Sequence, residues 1–211
     1  MRNLVTGIIA VALAASVGVA AQGQGGAPPA GGQGRGGGGG RGPQPPPLVM
    51  TTTSFEDGGV IPAKFAGQMG VSPELKWTQV PMGTQSFVLL MHDPDGAPQR
   101  GVTDVTHWLV WNIPGTSTGL AEGVAQGAEL PDGTRQVSLR ANGYMGPGAP
   151  ATAPYHHYTF ELYALDIKLD VPTAMPMDAV ATRKAVMAAI DGHIIGKAVV
   201  VGRFHQTAAP Q

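Results

Sequence analysis

The fold is decided by the stretch Ser86-Phe87-Val88-Leu89-Leu90-Met91-His92-Asp93-Pro94-Asp95-Gly96. The run Ser86–Met91 is almost entirely apolar, which favours a strand buried on both faces. The tetrapeptide that follows has the residue order of a type I turn, with Asp first, Pro second and Gly fourth. A carboxylate at the mouth of a core strand can also belong to a ligand site. Both interpretations of this turn stay open at the level of sequence.

Other β-type runs surround this stretch, and glycine and proline separate them at intervals of about ten residues, which indicates a sandwich or a barrel. The further strands are predicted over Val49–Phe55, Thr106–Ile113, His157–Leu165 and Lys197–Phe204. One helix is predicted from Asp178 to Ile190, ended by Asp191-Gly192. Its buried face is expected to carry Val180, Lys184, Met187 and Ile190. The pattern predicts mostly antiparallel β structure with one short helix near the C-terminus.

The N-terminal part of the chain has the composition of an export signal followed by a linker. Residues 1–21 combine Arg2, an apolar stretch and small residues, a pattern typical of a signal peptide cleaved after Ala20 or Ala21. An uncleaved membrane anchor is the alternative, although the apolar stretch is barely long enough to span a bilayer. Residues 22–47 contain 12 Gly and 6 Pro, so we expect a disordered linker. The folded domain is predicted over residues 48–207, with 208–211 as a tail. The protein is therefore expected to be periplasmic or secreted, with no transmembrane segment after cleavage.

Composition excludes several classes of function. After residue 47 the chain has 10 Lys and Arg against 14 Asp and Glu, so binding of nucleic acid by bulk charge is not expected. The chain has no cysteine, which excludes disulfides, thiolate metal sites and cysteine nucleophiles. No cofactor is predicted.

Candidate functional residues cluster in two predicted strands and one loop. Alternation along a strand places His107 on the same face as Leu109 and Trp111. It also places His156 with Tyr158, while His157 faces the opposite side. The loop Gly143-Tyr144-Met145-Gly146-Pro147-Gly148-Ala149-Pro150 has few side chains, so its backbone could approach a ligand closely.

The order of these motifs resembles the phosphatidylethanolamine-binding protein family, in its bacterial branch of Raf-kinase-inhibitor-like proteins. The resemblance covers about Ser54 to Phe204 and implies a β-sandwich of two antiparallel sheets with a small anion pocket. The residues that match the family's D-P-D, H-W, G-P and H-x-Y motifs are Asp93, Asp95, His107, Gly146, Pro147, His156 and Tyr158. Three departures concern the pocket rim. The family's usual G-P-x-P-P loop here reads Gly146-Pro147-Gly148-Ala149-Pro150 and lengthens before His156. His157 stands where the family often has arginine, and Val137–Asn142 replaces a glycine-rich N-x-F-G stretch.

The chemistry of such a pocket can be reasoned from its residue types. Two bare carboxylates would repel a phosphate, so we expect Asp93 and Asp95 to orient histidines or to accept from a ligand donor. The anion donors are expected to be ring N–H groups of His107 and His156, the Tyr158 hydroxyl and backbone N–H groups of the loop. A nearby carboxylate should then raise the histidine pKa values.

Three functions compete at this point. The first is an exported, non-enzymatic binding module for a phosphate- or carboxylate-bearing ligand or a phospholipid headgroup. The second is a small-substrate enzyme that uses Asp93, Asp95, His107 and His156 for general acid–base chemistry. The third is a metal site built from the same Asp and His residues. A protein partner is left open, because the inhibitor roles of some relatives do not follow from resemblance alone.

Overall fold

A computed structural model describes residues 47–68, 70–97, 103–173 and 178–207. The predicted signal peptide, the linker up to residue 46 and the tail lie outside the described residues. The described chain forms eight strands, a short 3₁₀ turn at Ala63–Phe65 and one α-helix. The strands are β1 Val49–Thr51, β2 Leu75–Thr78, β3 Ser86–Asp93, β4 Val105–Pro114, β5 Gly119–Leu120, β6 Arg135–Val137, β7 His156–Leu165 and β8 Ile194–Phe204, and the helix is α1 Ala179–Ala189. None of the described helical segments has the length and hydropathy needed to cross a bilayer.

The strands form two antiparallel sheets. A three-stranded sheet has the order β1-β2-β5, and a five-stranded sheet has the order β6-β4-β3-β7-β8. Their facing sides enclose one core, in which the rings of Trp77 on β2 and Phe87 on β3 lie 5.2 Å apart between centroids. The predicted fold, a β-sandwich of two antiparallel sheets with one short helix near the C-terminus, is confirmed.

The apolar run of β3 is explained by its central position in the five-stranded sheet. Phe87, Leu89 and Met91 point into the core between the sheets. Val88 and Leu90 point to the other side, where a second core forms beneath α1. Because both faces of β3 are covered, an alternating apolar and polar pattern would leave polar groups buried without partners.

Helix α1 covers the outer face of the five-stranded sheet, but with a different side than the sequence predicts. The buried residues are Ala179, Thr182, Val186 and Ile190. Of the predicted face only Ile190 is fully buried, and Val180 is 39% exposed. The small side chains of Ala179 and Thr182 let the helix lie close to the sheet, and such residues carry little hydrophobic signal in a sequence.

Candidate functional site

The topology brings three strand ends together. Strand β3 is antiparallel to both of its neighbours, so its C-terminal end lies beside the first residues of β4 and β7. Asp93 ends β3, His107 is the third residue of β4, and His156 begins β7. Residues that are up to 63 positions apart in the chain thereby meet at one end of the sheet.

His107 occupies a β-bulge. The pairing of β3 with β4 shifts between Met91 and His92, because Met91 pairs with Trp108 while His92 pairs with Thr106. His107 is therefore the extra residue of β4. Its ring packs edge-on against the Tyr158 ring, with 5.0 Å between centroids and 86° between planes.

This bulge overturns the predicted face of His107. Tyr158 and Trp108 belong to the core between the sheets, whereas Leu109 and Trp111 belong to the core beneath α1. His107 packs on Tyr158, so it does not share the face of Leu109 as simple alternation predicted. The extra residue places His107 and Trp108 on the same face, so strict alternation fails at this point of β4.

The strand ends open into a cavity of about 570 Å³. Five of the seven predicted site residues line it, namely Asp93, His107, Gly146, His156 and Tyr158. The other lining residues are Gly67, Gln68, Gly96, Ala97, Val105, Leu139, Arg140, Met145, Gly148, Ala149, Pro150 and Gln206. The volume is within the range of about 300–1,000 Å³ that is usual for small-molecule sites.

The remaining two predicted residues lie beside the cavity and hold its walls. The carboxylate of Asp95 accepts hydrogen bonds from the backbone N–H of His157 at 2.7 Å and from its Nδ1 at 2.9 Å. The backbone bond is the main reason why the pKa of Asp95 is lowered. The carbonyl of Pro147 accepts from the N–H of Gly67 at 2.8 Å, which joins two loops of the wall.

Asp93 serves as both a turn residue and a site residue. Its Oδ1 accepts from the N–H groups of Asp95 at 2.9 Å and Gly96 at 3.1 Å, as expected of an Asp that begins a turn. Its Oδ2 accepts from Nδ1 of His156 at 2.8 Å. Both oxygens of this buried carboxylate are thus occupied, so Asp93 orients a histidine and does not face a ligand as a bare charge.

The two consecutive histidines separate as alternation predicted. His156 shares the cavity face with Tyr158, and its bond to Asp93 leaves only Nε2 for a ligand. The side chain of His157 is 52% exposed and is bound to Asp95 outside the cavity.

His107 is held in one neutral tautomer. Its Nδ1 lies 2.9 Å from the carbonyl oxygen of Met145, and because a carbonyl can only accept, Nδ1 carries the hydrogen. Burial lowers the pKa of His107, and this effect outweighs the opposing influence of the Met145 carbonyl and the Asp93 carboxylate. The expected rise in the pKa of His107 is therefore wrong. Its Nε2 is a hydrogen-bond acceptor for whatever enters the cavity.

Tyr158 offers the complementary donor. Its hydroxyl oxygen accepts from the N–H groups of Gly148 and Ala149, both at 3.2 Å. Burial raises the pKa of Tyr158 to about 12, so the hydroxyl keeps its hydrogen at neutral pH. Since the oxygen is already accepting from the loop, its hydrogen is available to a ligand acceptor.

The loop N–H groups that were expected to bind an anion are used within the fold. Besides the two bonds to Tyr158, the N–H of Met145 donates to the His107 carbonyl and that of Gly146 to the Gly67 carbonyl, both at 3.0 Å. Gly146 is required for this close approach, because a Cβ there would lie 2.2 Å from the Phe65 carbonyl oxygen. The loop is a rigid wall and not a cradle of free donors.

Sequence reasoning missed three polar side chains of the cavity, Gln68, Arg140 and Gln206. Arg140 matters most, because it brings a permanent positive charge to the rim and forms no ion pair with any described residue. It belongs to Val137–Asn142, the stretch that departs from the family pattern. That departure from the family pattern was the one sequence feature that could have indicated Arg140 as a residue of the cavity.

The described residues contain no group of three His, Asp or Glu side chains placed to hold a metal ion.

Residues 51–205 match the family described as phosphatidylethanolamine-binding protein. A UPF0098 protein of Methanothermobacter thermautotrophicus is 37% identical over 161 residues, which cover 74% of this chain and 98% of that protein. A UPF0098 protein of Aquifex aeolicus is 35% identical over 155 residues, covering 72% and 84%.

Two solved structures are similar in fold. One is the putative phosphatidylethanolamine-binding protein homologue CT736 of Chlamydia trachomatis, with a TM-score of 0.60 and 30% identity over 76% of this chain and 98% of that one. The other is YbcL of E. coli, described as a new member of the mammalian family, with a TM-score of 0.63 and 26% identity over 76% and 99%.

Proposed function

This chain belongs to the phosphatidylethanolamine-binding protein family, and on that premise we propose that its cavity binds a small phosphate- or carboxylate-bearing ligand, including a phospholipid headgroup. The protein would act as an exported binding module without catalysis. The family description itself names a ligand of this chemistry, a lipid whose headgroup joins a phosphate to an ammonium.

The observation that carries the proposal is the pairing of donors and acceptors in the cavity. The Tyr158 hydroxyl and the Arg140 guanidinium are hydrogen-bond donors, and they favour a ligand with an anionic acceptor. Nε2 of neutral His107 is an acceptor, and it favours a ligand that also carries a hydrogen-bond donor. A monoprotonated phosphate meets both demands, as does a phosphate beside an ammonium, whereas a fully ionised anion meets only the first.

Calorimetric titration with phosphoethanolamine and with sulfate tests this pairing at pH 7. Both ligands offer acceptors, but at that pH sulfate has no donor for His107. We expect phosphoethanolamine to bind more tightly, by about the two- to tenfold that one hydrogen bond contributes. Equal affinity, or no heat from either ligand at millimolar concentration, would contradict the proposed recognition.

An enzyme remains the second candidate because of one contact. A carboxylate that holds the Nδ1 hydrogen of a histidine, as Asp93 holds His156 at 2.8 Å, is the arrangement of a general base. The two candidates are separated by prolonged incubation with a phosphomonoester under ³¹P NMR. A binding module returns the ester unchanged, while release of inorganic phosphate that disappears in His156→Ala would favour the enzyme.

Export is proposed from residues 1–21 and is tested on the mature protein. Fractionation of the producing cells should place the protein outside the cytoplasm, with an N-terminus at Ala21 or Gln22. Recovery of the intact Met1 form in the membrane fraction would favour the anchor instead.

A further inference from the structure

The outer face of the five-stranded sheet carries a partly buried polar group directly behind the cavity. It consists of His92 on β3, Asp104 before β4, Thr106 on β4 and Arg183 on α1, and we call it the Asp104 clamp. Nδ1 of His92 lies 2.6 Å from Oδ2 of Asp104. Arg183 donates through Nη1 to the other oxygen, Oδ1 of Asp104, and the same Nη1 lies 3.5 Å from Oγ1 of Thr106.

These contacts are sheltered from water and involve full charges. The side chains of His92, Asp104 and Arg183 are only 14%, 19% and 17% exposed. Although burial opposes ionisation of Asp104, its hydrogen bonds with Arg183 and His92 lower its pKa, so the carboxylate stays charged. A charged pair in so dry a setting has a well-defined geometry, unlike the usual mobile pair on a protein surface.

The clamp sits at the β-bulge. His92 pairs in register with Thr106, and His107 is the extra residue that follows Thr106. Asp104 therefore fixes the chain three residues before His107, to His92 of β3 on one side and to Arg183 of α1 on the other. A bulge has no ladder partner of its own to define its position, so its orientation depends on such contacts around it.

Only one of the two ring nitrogens of His92 forms a hydrogen bond with a described residue. Its Nε2 is buried with no hydrogen-bond partner among the described residues, and the nearest carboxylate oxygen, Oε1 of Glu161, is 4.0 Å away. A ring that only stabilised the fold would be expected to satisfy both nitrogens. The role of the His92 ring is therefore its hydrogen bond to Asp104.

We propose that the Asp104 clamp positions His107, and thereby sets how well the cavity accepts a ligand donor. Asp104, His92 and Arg183 are positioning residues, since they lie on the opposite face of the sheet and act through the bulge. The inference rests on the proposed function in one respect, namely that His107 touches the ligand.

The test measures inorganic phosphate binding and the His107 ring in the full-length mature protein. Asp104→Asn keeps the size of the side chain but removes its charge. We expect phosphate affinity to fall about five- to tenfold, and the ¹⁵N signals of the His107 ring to move away from the pure Nδ1–H tautomer. The matched control is Asp166→Asn, because Asp166 accepts from Nδ1 of His193 at 2.9 Å on the exposed surface. It should change neither quantity.

A double-mutant cycle separates positioning from general damage. In a His107→Ala background, Asp104→Asn should weaken phosphate binding no further. Equal losses in both backgrounds, or a weaker affinity with unchanged His107 signals, would overturn the proposal. If Asp104→Asn fails to fold, Arg183→Lys keeps the charge and should give the same effects at smaller size, and unchanged signals there would be equally contrary.

The ring signals also keep this inference apart from the proposed function. They need no ligand, so a wild-type protein that does not bind phosphate would refute the function while the response of His107 to Asp104→Asn still decides the clamp.

Discussion

Replacing Tyr158 by Phe removes one oxygen atom that the structure uses in two ways. That oxygen accepts hydrogen bonds from the N–H groups of Gly148 and Ala149, and its own hydrogen is left to donate to a ligand in the cavity that Tyr158 lines. Ala149 is only 3% exposed, so its N–H would lose its partner without access to water. An unpaired buried donor costs about 1–3 kcal/mol. Gly148 is exposed, and its N–H can bind water instead.

These figures translate into two measurable changes. For a domain of this size, 1 kcal/mol corresponds to about 2–4 °C in Tm, so Tyr158→Phe should lower Tm by roughly 2–12 °C. Loss of one ligand hydrogen bond should weaken phosphate binding by about two- to tenfold. Thermal unfolding followed by circular dichroism and calorimetric titration give the two values. Tyr155→Phe is the control, because Tyr155 is 41% exposed and lies outside the cavity lining.

The two changes can refute separate parts of the reasoning. An unchanged Tm would mean that the hydroxyl does not hold the loop. A lower Tm with unchanged affinity would mean that the ligand takes its donor from another residue.

The other predictions concern protonation, strand faces and the linker. Because the folded protein keeps His107 neutral, the unfolded chain binds more protons below about pH 6.5. The free energy of unfolding should therefore fall as the pH falls, by at most about 1.4 kcal/mol per pH unit from this residue. Urea titrations should show a smaller dependence of this free energy on pH in His107→Asn, and an equal dependence would contradict the prediction. His156→Ala should weaken phosphate binding much more than His157→Ala, and equal losses would contradict the separation of the two rings. A protein that begins at Leu48 should match the mature protein in Tm, whereas a fall of several degrees would mean that the linker packs on the domain.

Patterns with strong local signals were sufficient to predict the framework. The apolar run of β3 predicted a strand covered on both sides. The bounds of β3, β4, β7 and β8 agree with prediction within three residues, whereas β1 is much shorter than Val49–Phe55. The short strands β2, β5 and β6 were not predicted. The separation of His156 from His157 followed from regular alternation, because β7 pairs without a register shift from His156 to Ala164.

The errors have physical causes that lie outside local patterns. The face of His107 depends on a bulge, which is set by the register between two strands and is invisible in either one alone. The pKa of His107 depends on burial that only the assembled cavity creates. Arg140 reaches the cavity from a loop whose path no periodicity describes.

The central claim is that a small anion binds between Tyr158 and His107, and a crystal soaked in phosphate tests it most directly. We predict a tetrahedral anion in the cavity, with one oxygen accepting from the Tyr158 hydroxyl and a protonated oxygen donating to Nε2 of His107, each at about 2.5–3.2 Å. A cavity that remains free of phosphate, while calorimetry shows the same protein saturated at that concentration, would contradict it.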